Sequence, residues 1–330
     1  MPERNRFISG KRKKYGIDLT EEQKKRVAAL AKELKKQHQK RKIPKGVIFI
    51  AAVTLILLLV AGFLRGDKPN IAVNGNLSVH FIDVGQGDSI LVSSNGANML
   101  IDCGESEKTD HVIRYLRESG VKRLDYVVAT HPHSDHMGGM YKIIDEFDIG
   151  EVIIPHLADK DIPTTRFFEK FLDSCENKRC RMTEAEEGRV LALGEASAEI
   201  ISPNSEEYGN LNNYSVGIFI THGQNSFVMT GDAESPAEAE MLASGRIRHA
   251  SVYKAGHHGS STSSSKKFLS AVSPDYVVIS CGAGNSYGHP NESAIKRITE
   301  YTDKIYRTDL CGSIVFESDG TELTIWTERN

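Results

Sequence analysis

Apolar residues are distributed along the 330-residue chain in three regimes. Up to residue 46 they are sparse. Val27, Leu30, Ala31 and Leu34 mark one face of a short helix, and lysine and arginine fill the remainder. Thr20 with Gln23 forms a capping box at its start, and Pro44 ends it. From Val47 to Leu64 the chain reads VIFIAAVTLILLLVAGFL, 18 residues without a charge. Past a stretch at 65–76 carrying Gly, Pro and Asn, short β-type runs alternate with helical ones. Strands are predicted at 77–83, 89–93, 98–102, 124–130, 151–154, 197–201, 214–222, 225–230, 250–255, 275–280, 304–307, 312–317 and 321–327. Helices are predicted near 109–119, 137–147, 164–175, 235–243, 264–271 and 291–300. This alternation predicts an α/β domain of two sheets covered by helices.

The middle regime changes what the other two mean. Eighteen helical residues rise about 27 Å, close to the apolar thickness of a bilayer. The run is longer than a signal-peptide core, and its basic flank is far longer than a signal's. An uncleaved spanning helix over 47–64 is therefore expected. Residues 1–46 hold 16 Lys/Arg against 5 Asp/Glu, a net of +11. From the totals of 41 and 44, 25 basic and 39 acidic residues remain, a net of −14. The basic side stays cytoplasmic, so a single-pass cell-membrane protein is expected, with residues 65–330 outside. The expected organisation is a basic cytoplasmic arm at 1–46, a transmembrane helix at 47–64, a linker at 65–76 and the two-sheet α/β domain at 77–330. The arm serves as a topology signal and can contact anionic lipid. Five cysteines (Cys103, Cys175, Cys180, Cys281, Cys311) form no CxxC pair. Their odd number leaves one free or paired between chains, and Cys175 and Cys180 are near enough for a local disulfide.

The densest chemistry lies at 130–139, THPHSDHMGG, between a predicted strand and a predicted helix. His131, His133 and His136 are three of the chain's twelve histidines, and Asp135 stands among them. A loop leaving a strand can fan these side chains into one pocket, and imidazole with carboxylate suits zinc, iron or manganese. No P-loop or dinucleotide fingerprint competes.

This HxHxDH run, with FIDVGQGDS (81–89), LIDCG (100–104), MTGDAE (229–234), KAGHHGS (254–260) and YGHP (287–290), resembles the ComEC-type branch of the metallo-β-lactamase superfamily. The resemblance covers roughly 77–318 and implies a four-layer αββα sandwich with metals at one edge of the sheets. It implies one or two divalent ions, zinc first and manganese second. His131 and His133 resemble ligands of a first ion, Asp135 and His136 ligands of a second, and Asp232 the bridging carboxylate. His257 and His258 both stand where a further ligand of the second ion is expected. His258 is preferred because it directly precedes Gly259-Ser260, which leaves His257 to sit behind the ligands or to touch substrate. A further histidine of the first ion is missing: His156 and His222 fit poorly, and Asn213 or water is expected to fill in.

Other residues carry expectations of their own. Asp102 could orient a ligand histidine, Asp83 and Asp88 could line the pocket, and His289 could face substrate. Asp135, His257 and His289 are the candidate catalytic residues. The implied activity is hydrolysis by metal-activated water, most readily of a phosphodiester, as a nuclease on single-stranded DNA or as a small-phosphoester hydrolase. A charge of −14 would repel a polyanion unless Lys178, Arg179 and Arg181, or Arg246, Arg248 and Lys254, form a basic patch. The alternatives are hydrolysis of a lactone, thioester or other carboxyl ester, and a non-catalytic metal-binding anchored module.

Overall fold

A two-residue turn at Asn95-Gly96, both with positive φ (46° and 84°), starts the first sheet, since this backbone twist suits a tight hairpin. It joins β2 (Ile90–Ser94) to β3 (Ala97–Ile101), and β1 (Leu77–Phe81) pairs antiparallel with β2. The chain then crosses over through α1 (Thr109–Glu118), β4 (Arg123–Val128), α2 (Ser134–Met137), α3 (Met140–Glu146), β5 (Asp148–Ile154), α4 (Arg166–Lys178) and β6 (Arg181–Glu184). Strands β3 to β6 are parallel. The second sheet repeats the plan. An antiparallel meander of β7 (Val190–Leu193), β8 (Ala196–Ser202), β9 (Gly217–His222) and β10 (Asn225–Met229) leads into α5 (Ser235–Ala243), β11 (Val252–Lys254), α6 (Lys266–Val272), β12 (Tyr276–Ile279), α7 (Glu292–Thr299) and β13 (Ile305–Arg307). Strands β10 to β13 are parallel. After α8 (Thr308–Cys311), the hairpin β14 (Ile314–Ser318) and β15 (Leu323–Thr327) returns to the first sheet. The sheet orders are β15-β14-β1-β2-β3-β4-β5-β6 and β13-β12-β11-β10-β9-β8-β7.

The computed structural model describes residues 76–329. The chain divides into two units, 1–70 and 71–330, and the described residues belong to the second. The basic arm, the 47–64 run and nearly all of the linker lie outside the described residues. Among the described residues no helix is long and apolar enough to cross a membrane.

Alternation of side chains along each strand sorts the core into three layers. Val79, Phe81, Met99 and Val128 of the first sheet meet Ile200, Ile218, Phe227 and Val252 of the second. Their neighbours Leu91, Leu100 and Val127 face Val112, Leu116, Ile143 and Phe171 on the helices. Phe219, Val228 and Val277 face Met241, Phe268, Leu269 and Ile298 on the other side. The result is a four-layer αββα sandwich. Phe316 of β14 ties the inner layer, with ring contacts to Phe81 on its own sheet and to Phe227, Tyr276 and Tyr306 on the other. Its truncation to alanine should cost about 3–5 kcal/mol.

The elements differ from the sequence pattern at several points. The helix expected at 137–147 is two helices, α2 and α3, parted at Gly138-Gly139. A Cβ on Gly139 would collide with Thr109 in the first turn of α1, so close helix approach sets the break. The four-residue strands β6 and β7 were not expected, being short and half exposed. The strand expected from 214 begins at 217, because 211–214 form a 3-10 turn. All five cysteines are free thiols, Cys175 and Cys180 included.

Candidate metal centre

The parallel strands of both sheets end at one edge, and the chemistry-bearing residues follow their carboxyl ends, where open α/β sheets place their sites. Asp102 follows β3, the segment 129–136 follows β4, Asp232 follows β10, His257 and His258 follow β11, and Ser280 follows β12. Backbone bonds lock these segments together. Val216 N donates to Thr130 O (2.9 Å) across the two sheets, Cys103 N to His136 O (2.7 Å) and Asp88 N to Asp135 O (3.1 Å). That last bond needs Gly87, whose φ is 128° and whose Cβ would strike Asp135 O. His257 and His258 both adopt left-handed backbone (φ 49° and 54°), at a cost of about 1–2 kcal/mol each. The bonds His257 N to Gly231 O (3.1 Å) and Ser260 N to His257 O (2.8 Å) hold the turn.

This frame converges six side chains. His131 Nε2 and His133 Nδ1 lie 3.0 Å apart. His136 Nε2 and His258 Nε2 lie 3.2 Å apart, and Asp135 Oδ2 is 3.3 Å from His258 Nε2. Asp232 stands between the two groups. Its Oδ1 is 3.2 Å from His136 Nε2, and its Oδ2 is 3.5 Å from His258 Nε2 and 3.9 Å from His131 Nε2. Asp88, His136, Asp232 and His258 each bring a donor atom within 4.8 Å of the others.

A ring of further groups fixes how the imidazoles point. Asp102, buried and left-handed (φ 58°), places Oδ2 2.7 Å from His136 Nδ1 and also accepts from Thr130 N and Thr130 Oγ1. His258 Nδ1 donates to Ser280 O at 3.0 Å. Both contacts assign the Nδ1 proton and turn the Nε2 lone pair inward. His131 Nδ1 meets only hydroxyls, Thr130 Oγ1 at 3.1 Å and Ser215 Oγ at 3.3 Å. Ser215 Oγ also accepts from Asp232 N (3.0 Å).

Burial works against charge on His136, but Asp232, Asp135 and Asp102 outweigh it and raise the ring's proton affinity well above the ordinary histidine range. His258 behaves alike, burial being outweighed by Asp232 and Asp88. Asp232 is buried too, yet His136 and His258 pull it well below the carboxylate range. His131 goes the other way, pushed well down by burial and by His136. The carboxylates thus draw positive charge to the point where the Nε2 atoms meet. Asp232 Oδ1 is buried there without a hydrogen bond of acceptable geometry. An imidazole and carboxylate donor set of this kind fits divalent zinc or manganese.

A cavity of about 270 Å³ opens over the cluster, lined by His133, Asp135, Asp232, His257 and His258 together with Gln86, Ser134, Asn212, Tyr287 and His289. His257 Nε2 is 3.5 Å from Asp232 Oδ2. His289 stacks on Tyr287 (5.8 Å, 24°), and its buried Nδ1 has no hydrogen-bond partner among the described residues. Burial and the neighbouring His257 and His258 push His289 down to about 4.

Some expected residues fall elsewhere. Asp83 does not line the cavity: its Oδ1 accepts from Gly85 N and its Oδ2 pairs with Arg329 at 2.7 Å. Asn213 does not fill in either. Its Oδ1 accepts from Glu234 N (3.0 Å), and the neighbouring Asn212 lines the cavity, its buried Oδ1 without a hydrogen-bond partner among the described residues. Asp88 does belong to the metal cluster, within 4.8 Å of donor atoms of His136, Asp232 and His258, and reaches it from behind His258 (Oδ1 to Nδ1, 3.3 Å) and not from the cavity wall. Lys254, expected on a basic surface, is fully buried 2.5 Å from Asp88 Oδ2. Arg246 pairs with Glu187 and Glu199, and Arg248 with Glu199, so that patch does not form. His156 is exposed beside Glu184, and His222 bonds Ser318. Sequence reasoning missed Asn212, Gln86, Ser134 and Tyr287 as lining residues. Asn212 could have been found only by knowing which face of the 3-10 turn it occupies.

Residues 82–283 match the family model described as the metallo-beta-lactamase superfamily. The chain is 26% identical to ComE operon protein 3 of Bacillus subtilis, over 82% of this chain and 39% of that protein. It is 30% identical to competence protein ComA of Neisseria gonorrhoeae, over 79% of this chain and 35% of that one. It therefore spans little more than a third of the length of these relatives. Among solved structures, the metallo-beta-lactamase fold protein YhfI of Bacillus subtilis superposes with a TM-score of 0.48 and 13% identity, over 70% of this chain and 95% of that one. The chain belongs to the metallo-β-lactamase superfamily of metal-dependent hydrolases, in its ComEC-type branch.

Proposed function

We propose that the protein is a metal-dependent phosphodiesterase, held at a membrane by residues 47–64 with its hydrolase domain on the extracytoplasmic side. The observation that carries the catalytic part is the convergence on Asp232 of two donor groups, His131 with His133 and Asp135 with His136 and His258. These six residues would hold the metal, with Asp232 shared between the groups. The membrane part rests on the uncharged run and on the charge asymmetry around it.

Divalent metal held there would supply Lewis acidity toward a water and a phosphoryl oxygen. The chain's own residues do the rest. Asp102 and the Ser280 carbonyl keep His136 and His258 in the tautomer that presents Nε2. His257 and His289 face the cavity, and burial, first among their influences, keeps both neutral. Neutral rings suit them to donate a hydrogen bond to a phosphoryl oxygen or to accept a proton, better than to protonate a leaving group. Asn212 supplies a carboxamide on the same wall.

Single-stranded DNA and small phosphodiesters are the two substrate arms. A purified chain should bind zinc or manganese and cleave bis(p-nitrophenyl) phosphate, with Asp232→Asn inactive. Bound metal with turnover of lactones or thioesters and none of phosphodiesters would replace this reading with the carboxyl-ester one. Metal without turnover of either class would leave a binding module.

A further inference from the structure

Lys254 ends β11, three residues before His257, and no part of its side chain reaches solvent. Its ammonium lies 2.5 Å from Asp88 Oδ2 as an ion pair and has no hydrogen-bond partner among the described residues. Asp88 is buried as well, with Oδ1 3.3 Å from His258 Nδ1 and Oδ2 3.9 Å from His136 Nδ1. Its backbone N is bonded to Asp135 O and its carbonyl accepts from Gly104 N. Asp88 therefore touches three of the residues assigned to the second donor group. It could join them, since a carboxylate oxygen lies within 4.8 Å of donor atoms of His136, Asp232 and His258.

A buried ion pair is poor evidence of stability, because desolvation offsets the attraction. A buried cation beside a centre that collects cations is less favourable still. Its place is explained if it controls what Asp88 does. With Lys254 present, Asp88 is neutralised and committed behind His258. Without it, a bare carboxylate would stand within reach of the centre.

We infer that Lys254 is a positioning residue that withholds Asp88 from the metal centre, limiting the centre's negative charge and holding His258 in register. This rests on the metal-centre reading above. The consequence is a split that loss of fold does not produce: metal held more tightly and turnover reduced.

The test uses the full-length chain, stripped with a chelator and titrated with Zn²⁺ against a competing indicator, with thermal unfolding followed in parallel. Lys254→Met should tighten Zn²⁺ binding by about tenfold, the scale on which outer partners tune a site, while lowering bis(p-nitrophenyl) phosphate turnover at saturating Zn²⁺. Asp88→Asn, which leaves the ammonium unpaired, should weaken binding. The double variant Asp88→Asn/Lys254→Met restores the charge balance and should return to within about threefold of wild type. Should Lys254→Met fail to fold, the comparison of wild type, Asp88→Asn and the double variant still decides. Weaker Zn²⁺ binding by a folded Lys254→Met, or a double variant no better than Asp88→Asn, would overturn the inference while leaving the metal centre standing. A wild-type chain that takes up no Zn²⁺ would overturn both.

Discussion

His136 and His258 are each braced from behind, His136 by the Asp102 carboxylate and His258 by the Ser280 carbonyl and Asp88. His131 meets only the hydroxyls of Thr130 and Ser215, and His133 stands half exposed at the cavity wall. The braced side brings one carboxylate and two imidazoles of its own to Asp232. The open side brings two imidazoles, with Asn212 nearby in place of a third. A carboxylate partner fixes the tautomer and raises basicity, whereas a hydroxyl can donate or accept and does neither firmly. The contrast suggests a division of work, with ion retention on the braced side and exchange with water and substrate on the open side.

The largest test removes what the two sides share. Asp232→Asn should abolish uptake on both and reduce phosphodiester turnover on the order of a thousandfold, with circular dichroism unchanged. Retention of either equivalent by elemental analysis would mean that the sides do not depend on a common carboxylate. Next comes the brace. Asp102→Asn should weaken one of two Zn²⁺ equivalents by about 10–100-fold, as read by chelator competition. Equal weakening of both would break the comparison. Asn212→His offers the open side a third imidazole and should strengthen the weaker equivalent by about tenfold or less, leaving the stronger one unmoved. Asp83→Asn should do least. Its partners are Gly85 and the exposed Arg329, so unfolding stability should shift by about 0.5 kcal/mol or less, and Zn²⁺ titration should match wild type.

The same contrast explains what could be read from the chain. His131, His133, Asp135 and His136 lie on one loop, so their meeting is a local fact that spacing conveys. Asp232 and the pair His257-His258 arrive from a different sheet, and only likeness to a family pointed to them. Of the two histidines, His258 is marked by its place before Gly259-Ser260, but the Ser280 carbonyl that orients it has no sequence mark. Asn212 and Asn213 differ only by their place on a 3-10 turn. Lys254 looked like a surface cation because its partner Asp88 is distant in sequence. The two-sheet plan was legible from the alternating runs. Strands β6 and β7 were not, since four half-exposed residues leave too little pattern.

The 3.2 Å approach of His136 to His258 closes a loop of 122 residues. Contacts that join such distant residues come at the full entropic cost of loop closure and tend to form late. During synthesis, which proceeds from the N-terminus, the HxHxDH loop would emerge long before its counterpart on the second sheet. Capture of an ion by all six residues would then wait for β11, and a chain halted before it would hold five of them without His258.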